Sequence, residues 1–248
     1  MDTYFDLGDY SFPITTHSPE AQTWFDRGLL WTYGYNHEEA VTCFERAIGA
    51  DPKCAMAHWG AGYAAGPNYN MPWKLFDYAG RAAAARGGDT HARKALDLID
   101  GATEWEAALI HALPARYPKT DTLDPKAMKA WNLGFADAMR DAFDVHPESH
   151  EVRTVFAESL LNLTPWKMWN LHSGQPATGA RTVEAQTVLE EALEGDPSAM
   201  HHPGLLHLYV HLMEMSPYPE KALKAGDALR RLVPDAGYLV HMPTHIDI

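Results

Sequence analysis

Residues 21–54 read AQTWFDRGLLWTYGYNHEEAVTCFERAIGADPKC. Just ahead of them, Ser18-Pro19-Glu20 makes a good helix start: serine as N-cap, proline in the first turn, an acid near the positive end of the dipole. A helix is predicted from Pro19 to about Tyr35 and a second from His37 to Gly49. Gly34-Tyr35-Asn36 joins them and Asp51-Pro52 closes the pair. Small residues at Gly28, Ala40 and Ala47 let the two helices touch, and Trp24, Trp31 and Phe44 fill the gap between them. The unit is a helical hairpin.

The same positions carry a family resemblance. Trp24, Gly28, Trp31, Ala40, Phe44, Ala47 and Pro52 fall where the tetratricopeptide repeat has tryptophan, glycine, an aromatic, alanine, phenylalanine, alanine and proline. Arg27 departs from it, standing where leucine is usual. The likeness is strong over 21–54 and decays afterwards. It implies an all-α fold, a TPR-like α-solenoid of antiparallel helical hairpins whose right-handed superhelix leaves a concave groove for ligands.

Working outward, residues 1–17 read as an irregular lead-in. A second repeat begins at Ala55, with His58, Gly62 and Ala65 at the tryptophan, glycine and tyrosine positions. Residues 66–73, with one glycine and two prolines, read as a loop. Helix resumes over 74–86, is expected to break at Gly87-Gly88, and runs again from Asp89 to about Leu113, weakened by Gly101. Further helices are predicted over 125–143 and 148–163. Residues 164–180, carrying Pro165, Gly174, Pro176 and Gly179, form a long loop expected to fold over a neighbouring surface. Helices follow at 181–194, 203–215, 218–232 and from 236. With no convincing strand, the chain reads as one domain over 1–248.

Two strings near the end carry the chemistry: His207-Leu-Tyr-Val-His211 and His241-Met-Pro-Thr-His245. Each is an H-x-x-x-H pair, which sets two imidazoles side by side on one helix face. The pairs stand 34 residues apart, the period of a helical-hairpin repeat, so they occupy equivalent positions of successive units. The resemblance implies that these positions face the concave groove, and with Ala157 at the small-residue position of an earlier unit it implies the same of Glu158. Glu214, three residues after His211, lies near that face, and Asn162 is a further supporting group. The expected metal set is His207, His211, His241, His245 and Glu158, with Glu158 or Glu214 as general base.

Neutral imidazole suits copper or zinc first and iron third. The absence of cysteine from the set excludes a zinc–thiolate site, and the nitrogen donors argue against magnesium or calcium. Pro243, inside the second pair, threatens its helical spacing. His17, His91, His111, His146, His150 and His172 have no ordered companions and read as structural, and His58 as core. No nucleotide-binding glycine loop, G-x-S-x-G or H-E-x-x-H occurs.

Bulk properties narrow the rest. The chain has 248 residues, 46% hydrophobic content and a net charge of -13, which makes nucleic acid and anionic membranes poor partners. No apolar run approaches the ~20 residues of a membrane span, and Met1 to Tyr10 lacks the features of a secretory leader. Cys43 and Cys54 form no C-x-x-C and no disulfide framework, so a reduced, cytoplasmic setting is expected. Fourteen histidines and eight tryptophans are the excesses worth following.

Asn36-His37-Glu38-Glu39-Ala40, Gly66-Pro67-Asn68-Tyr69-Asn70, Leu161-Asn162-Leu163-Thr164-Pro165-Trp166, the first histidine string and Val240-His241-Met-Pro-Thr-His245-Ile246 look like a wider family. That family comprises bacterial and fungal proteins with tetratricopeptide repeats. The resemblance implies fold and groove residues but little chemistry. Its last repeat is expected to be incomplete here, with a second segment or another copy of the chain covering the C-terminal helix. Two functions follow: a metal-dependent enzyme acting on a small organic molecule (redox with copper or iron, hydrolytic or lyase with zinc), or a non-catalytic scaffold gripping a peptide.

Overall fold

The computed structural model describes residues 4–119, 121 and 123–247, so the first three residues of the lead-in and Ile248 lie outside the described residues. Helix α1 (Pro19–Tyr33) starts where the sequence places it: the Ser18 hydroxyl accepts from the Ala21 N–H at 3.2 Å. Helix α2 (His37–Ala50) is capped by Asn36, and α3 (Ala55–Ala64) follows after a turn through Pro52. Phe44 locks the three together. A methyl group added at Gly28 would stand 2.7 Å from its ring, and one at Gly60 2.4 Å. The close approach to Phe44 from α3 is therefore made by Gly60, while Gly62 packs tightly elsewhere, where an added Cβ would stand 3.1 Å from Leu113 and 3.2 Å from His91.

Helix α4 (Tyr78–Asp97) runs straight through Gly87-Gly88, against expectation. Gly88 is there for packing: a Cβ would sit 2.2 Å from the Tyr117 ring. The chain breaks later, around Gly101, whose φ of +90° suits glycine. A reciprocal cap then restarts it as α5 (Glu104–Ala112), with Thr103 and Glu106 each satisfying the other's backbone N–H. Helices α6 (Pro125–Val145), α7 (His150–Leu161), α8 (Thr182–Gly195), α9 (Pro203–Met213), α10 (Leu223–Leu229) and the short α11 (Gly237–His241) complete the all-α fold. The predicted 218–232 helix opens instead as a 3-10 turn, Pro219–Ala222, and Pro243 turns the last segment, Met242–His245, into 3-10 helix.

Burial sets α3, α7 and α9 apart from the rest. Every residue of α3 and α9 is buried, as is all of α7 after His150. Helix α2 hides only the stripe Ala40, Cys43, Phe44 and Ala47, as a helix with one face in solvent does. The packing agrees: α1 meets α3 and α9, α3 meets α5, α5 meets α7, and α7 meets α9. These five close into an inner ring. The even helices pack outside, each against its sequence neighbours. The first inner helix thus meets the last.

The lead-in helps that closure. Tyr10 donates to Glu151 of α7, Thr15 gives two hydrogen bonds to Glu106 of α5, and Thr16 bonds Asp51 after α2. Asp6 and Asp235 exchange hydrogen bonds, the Asp6 N–H to the Asp235 carboxylate and the Asp235 N–H to the Asp6 carbonyl. The 164–180 segment folds against α9, where the Trp169 indole donates to the Leu212 carbonyl at 2.7 Å. No helix among the described residues is long and apolar enough to cross a membrane.

Candidate functional site

Helix α9 starts from His202, whose side chain caps the Leu205 N–H, with Pro203 in the first turn. Its buried face brings His207 and His211 together, ring centroids 4.7 Å apart. His211 Nδ1 lies 2.9 Å from one oxygen of Glu214, and His245 Nδ1 lies 2.5 Å from the other. His245 Nε2 in turn stands 3.1 Å from His241 Nε2. The two H-x-x-x-H pairs are therefore joined through Glu214, and Pro243 does not separate the second pair.

Protonation follows from this wiring. A carboxylate oxygen accepts and a ring N–H donates, so each Nδ1 on Glu214 is the donor, and a ring held that way in its neutral form presents its Nε2 lone pair. His211 Nε2 has Tyr238 Oη at 3.1 Å. Burial pushes that phenol up to about 12, so it keeps its proton and donates. Burial also lowers His207 and His211 below the ordinary histidine value; His211 is partly restored by Glu214, and His207 is lowered further by His211. Both are neutral near pH 7.

The four histidines differ in exposure. His207 and His211 are 1% and 3% exposed, His245 is half-buried and His241 is exposed. Among the described residues, no three His, Cys, Asp or Glu side chains are arranged to hold a metal ion as they stand.

Glu158 takes a different place from the one expected. It is buried on α7, accepts from Tyr63, and makes no hydrogen bond or ion pair with the four histidines among the described residues. Burial raises its carboxyl, opposed by the Arg116 charge, the Tyr63 hydroxyl and the neighbouring Asn162 amide. Tyr35 links the two halves. Its ring lies 4.6 Å from His207 and 5.8 Å from His211, and it feels the Glu158 charge.

Tyr35 sits at φ 54° in the turn between α1 and α2, and Trp166 at φ 58°. These are the two non-glycine residues with positive φ among the described ones, and both border the site. The Trp166 indole donates to Asn70, and the Asn70 amide donates to Tyr238 Oη. Left-handed backbone at bulky residues is costly and gathers at functional sites.

The sequence reading missed Tyr35, Tyr238, Tyr63 and Asn70 as site groups. Tyr238 precedes His241 by three residues, one helical turn, which was a usable signal. Tyr69, in the 66–73 loop, meets His211, centroids 4.7 Å apart. Three histidines read as lacking companions have them: His91 Nδ1 lies 3.2 Å from His58 Nδ1, His146 Nδ1 lies 3.5 Å from Glu148, and His150 lies beside Asp196 and His202. Burial holds the Cys43 and Cys54 thiols up at about 11, a poor setting for a nucleophile.

Several buried polar atoms around this site have no hydrogen-bond partner: the Tyr33 and Tyr35 hydroxyls, Glu158 Oε1 and His207 Nε2. Buried polar groups are normally paired, and a polar ligand would satisfy these. A cavity of about 700 Å³, lined by Tyr35, His37, Asn68 and Met71 among others, touches this set through Tyr35; neither Glu158 nor any of the four site histidines lines it. The chain matches no protein-family model, and a search of the curated proteins finds no relative.

Proposed function

We propose that the chain is a metal-dependent enzyme acting on a small organic molecule, built on TPR-like helical hairpins. The observation that carries this is Glu214 holding Nδ1 of both His211 and His245. A carboxylate on one ring nitrogen fixes the tautomer and orients the other nitrogen as a ligand. The His241 and His245 Nε2 atoms stand 3.1 Å apart, close to the roughly 3.3 Å between two imidazole donors at about 2.05 Å on one tetrahedral ion.

His207 or His211 would have to join that pair to complete the set. His207, with an unpartnered Nε2, has the atom free to do so. Copper or zinc suits the donors best and iron next; copper or iron would supply redox chemistry, and zinc hydrolytic or lyase chemistry. Glu158 serves as the proton-transfer group: its raised carboxyl holds a proton to higher pH than usual, and one oxygen is unpartnered. Tyr35, Tyr69 and Tyr238 wall the site on the side of His207 and His211. A peptide-gripping scaffold needs an open groove, and the buried α9 offers none.

The test is elemental analysis of protein purified without chelator, together with the His207→Ala/His241→Ala double variant. Near-stoichiometric transition metal, lost in the variant with a fall in thermal stability, is expected. Less than about a tenth of an equivalent, with unchanged stability in the variant, would sink the metal reading.

A further inference from the structure

A second cavity, of about 310 Å³, lies on the far side of the α7 C-terminus, between the turn at Trp73, the start of α6 and the 162–167 turn. Its volume is at the small end for metabolite pockets. Four lysines line it: Lys74, Lys126, Lys129 and Lys167. The chain has nine lysines in all and a net charge of -13, yet no Asp or Glu lines this cavity. None of the four makes an ion pair among the described residues.

The walls between the ammonium groups are apolar, from Trp73, Leu163 and Pro165. Asn162 lines it too; it is 5% exposed, and its amide, beside the Glu158 carboxyl, makes no close, well-aligned hydrogen bond. A buried amide left in that state carries an unmet donor and acceptor. The helix end adds little, because Asp124 already takes the Lys126 N–H. The lysine side chains and Asn162 carry the argument.

We propose that this cavity binds a small organic anion, a carboxylate or phosphate ester with an apolar body, head group among the lysines and body against Trp73. In a strongly acidic protein, an acid-free pocket ringed by unpaired ammonium groups concentrates anions locally. The Asn162 Nδ2–H is a directional donor for the head group that lysines on flexible stems do not provide. The assignment stands whether or not the histidine site carries out chemistry.

Isothermal titration at low salt with benzoate, phenyl phosphate and benzamide tests it. At least one anion is expected to bind about tenfold or more tighter than neutral benzamide, and the better anion identifies the head group. Lys126→Gln/Lys129→Gln should weaken that binding at least about tenfold, and Lys221→Gln/Lys224→Gln, outside the cavity, should leave it unchanged. Both cavity lysines are exposed, so the variant should keep the parent's thermal unfolding. Equal binding of benzamide, equal loss in both lysine variants, or no heat with either anion at about 10 mM would each overturn the assignment.

Discussion

Tyr35 lays its ring against His207, centroids 4.6 Å apart, from a backbone held at φ 54°. The backbone strain is worth about 1–3 kcal/mol, and truncating a packed aromatic costs about 3–5 kcal/mol. Packing therefore wins. Tyr35→Gly should lose about 2 kcal/mol in urea unfolding despite relieving the strain. Tyr35→Phe, which removes only an unpartnered hydroxyl, should stay within about 1 kcal/mol of the parent. A glycine variant more stable than the parent would show that strain dominates.

Glu214→Gln replaces a group that accepts from two imidazoles with one that offers a single acceptor oxygen. One of His211 and His245 then loses its anchor. Zinc or copper affinity, read by competition with a chromophoric chelator, should fall about 10–100-fold, the usual cost of removing a supporting carboxylate. Undiminished affinity would mean that Glu214 does not orient the donors.

The folded pKa of Glu158 lies above its unfolded value of 4.5. Its contribution to stability is therefore whole below that value and is lost as pH rises through the folded pKa. Glu158→Gln keeps the shape and cannot titrate. Its stability relative to the parent should improve as pH rises above 4.5 in urea unfolding. A pH-independent difference would contradict the raised carboxyl.

His207 and His211 behave in the opposite sense. Their folded values lie below 6.5, so their contribution is present above 6.5 and lost as pH falls beneath it, when the unfolded chain takes up protons. Each can contribute a slope of up to about 1.4 kcal/mol per pH unit. In His207→Gln/His211→Gln the acid limb of the stability profile should be visibly shallower. An unchanged limb would place the acid sensitivity elsewhere.

Gly60→Ala forces a methyl group to 2.4 Å from Phe44, a ring that Gly28 hems in from the other side. The expected loss is about 2–3 kcal/mol, or roughly 5–10 °C in Tm for a chain of this size. Adding Phe44→Leu should recover part of it. A double variant no better than the single one would rule out the clash as the cause.

Local chemistry was legible in the sequence. The 21–54 hairpin, both histidine pairs and the nearness of Glu214 to His211 follow from spacings of three and four residues, which a helix turns directly into neighbours. What depends on partners far away was not. Gly87-Gly88 reads as a break until Tyr117 is seen against Gly88. Glu158 reads as a ligand until Tyr63, 95 residues earlier, takes one of its oxygens. Ring closure rests on α1 meeting α9, which no local pattern announces. The Thr103/Glu106 cap was readable and would have moved the helix break to its true place.

The exchange of hydrogen bonds between Asp6 and Asp235 spans 229 residues. Closing so long a loop costs little more than closing a shorter one, because the entropy grows only with the logarithm of length. Its consequence is one of order in time. The α1–α2 hairpin needs only nearby residues and can form while the rest of the chain is still unstructured. The Glu214 grip on His211 and His245 needs the last segment seated beside α9, at the end that this latch fastens. Until that segment is seated the two histidine pairs stay unjoined, so the cluster as a whole is complete only once assembly ends.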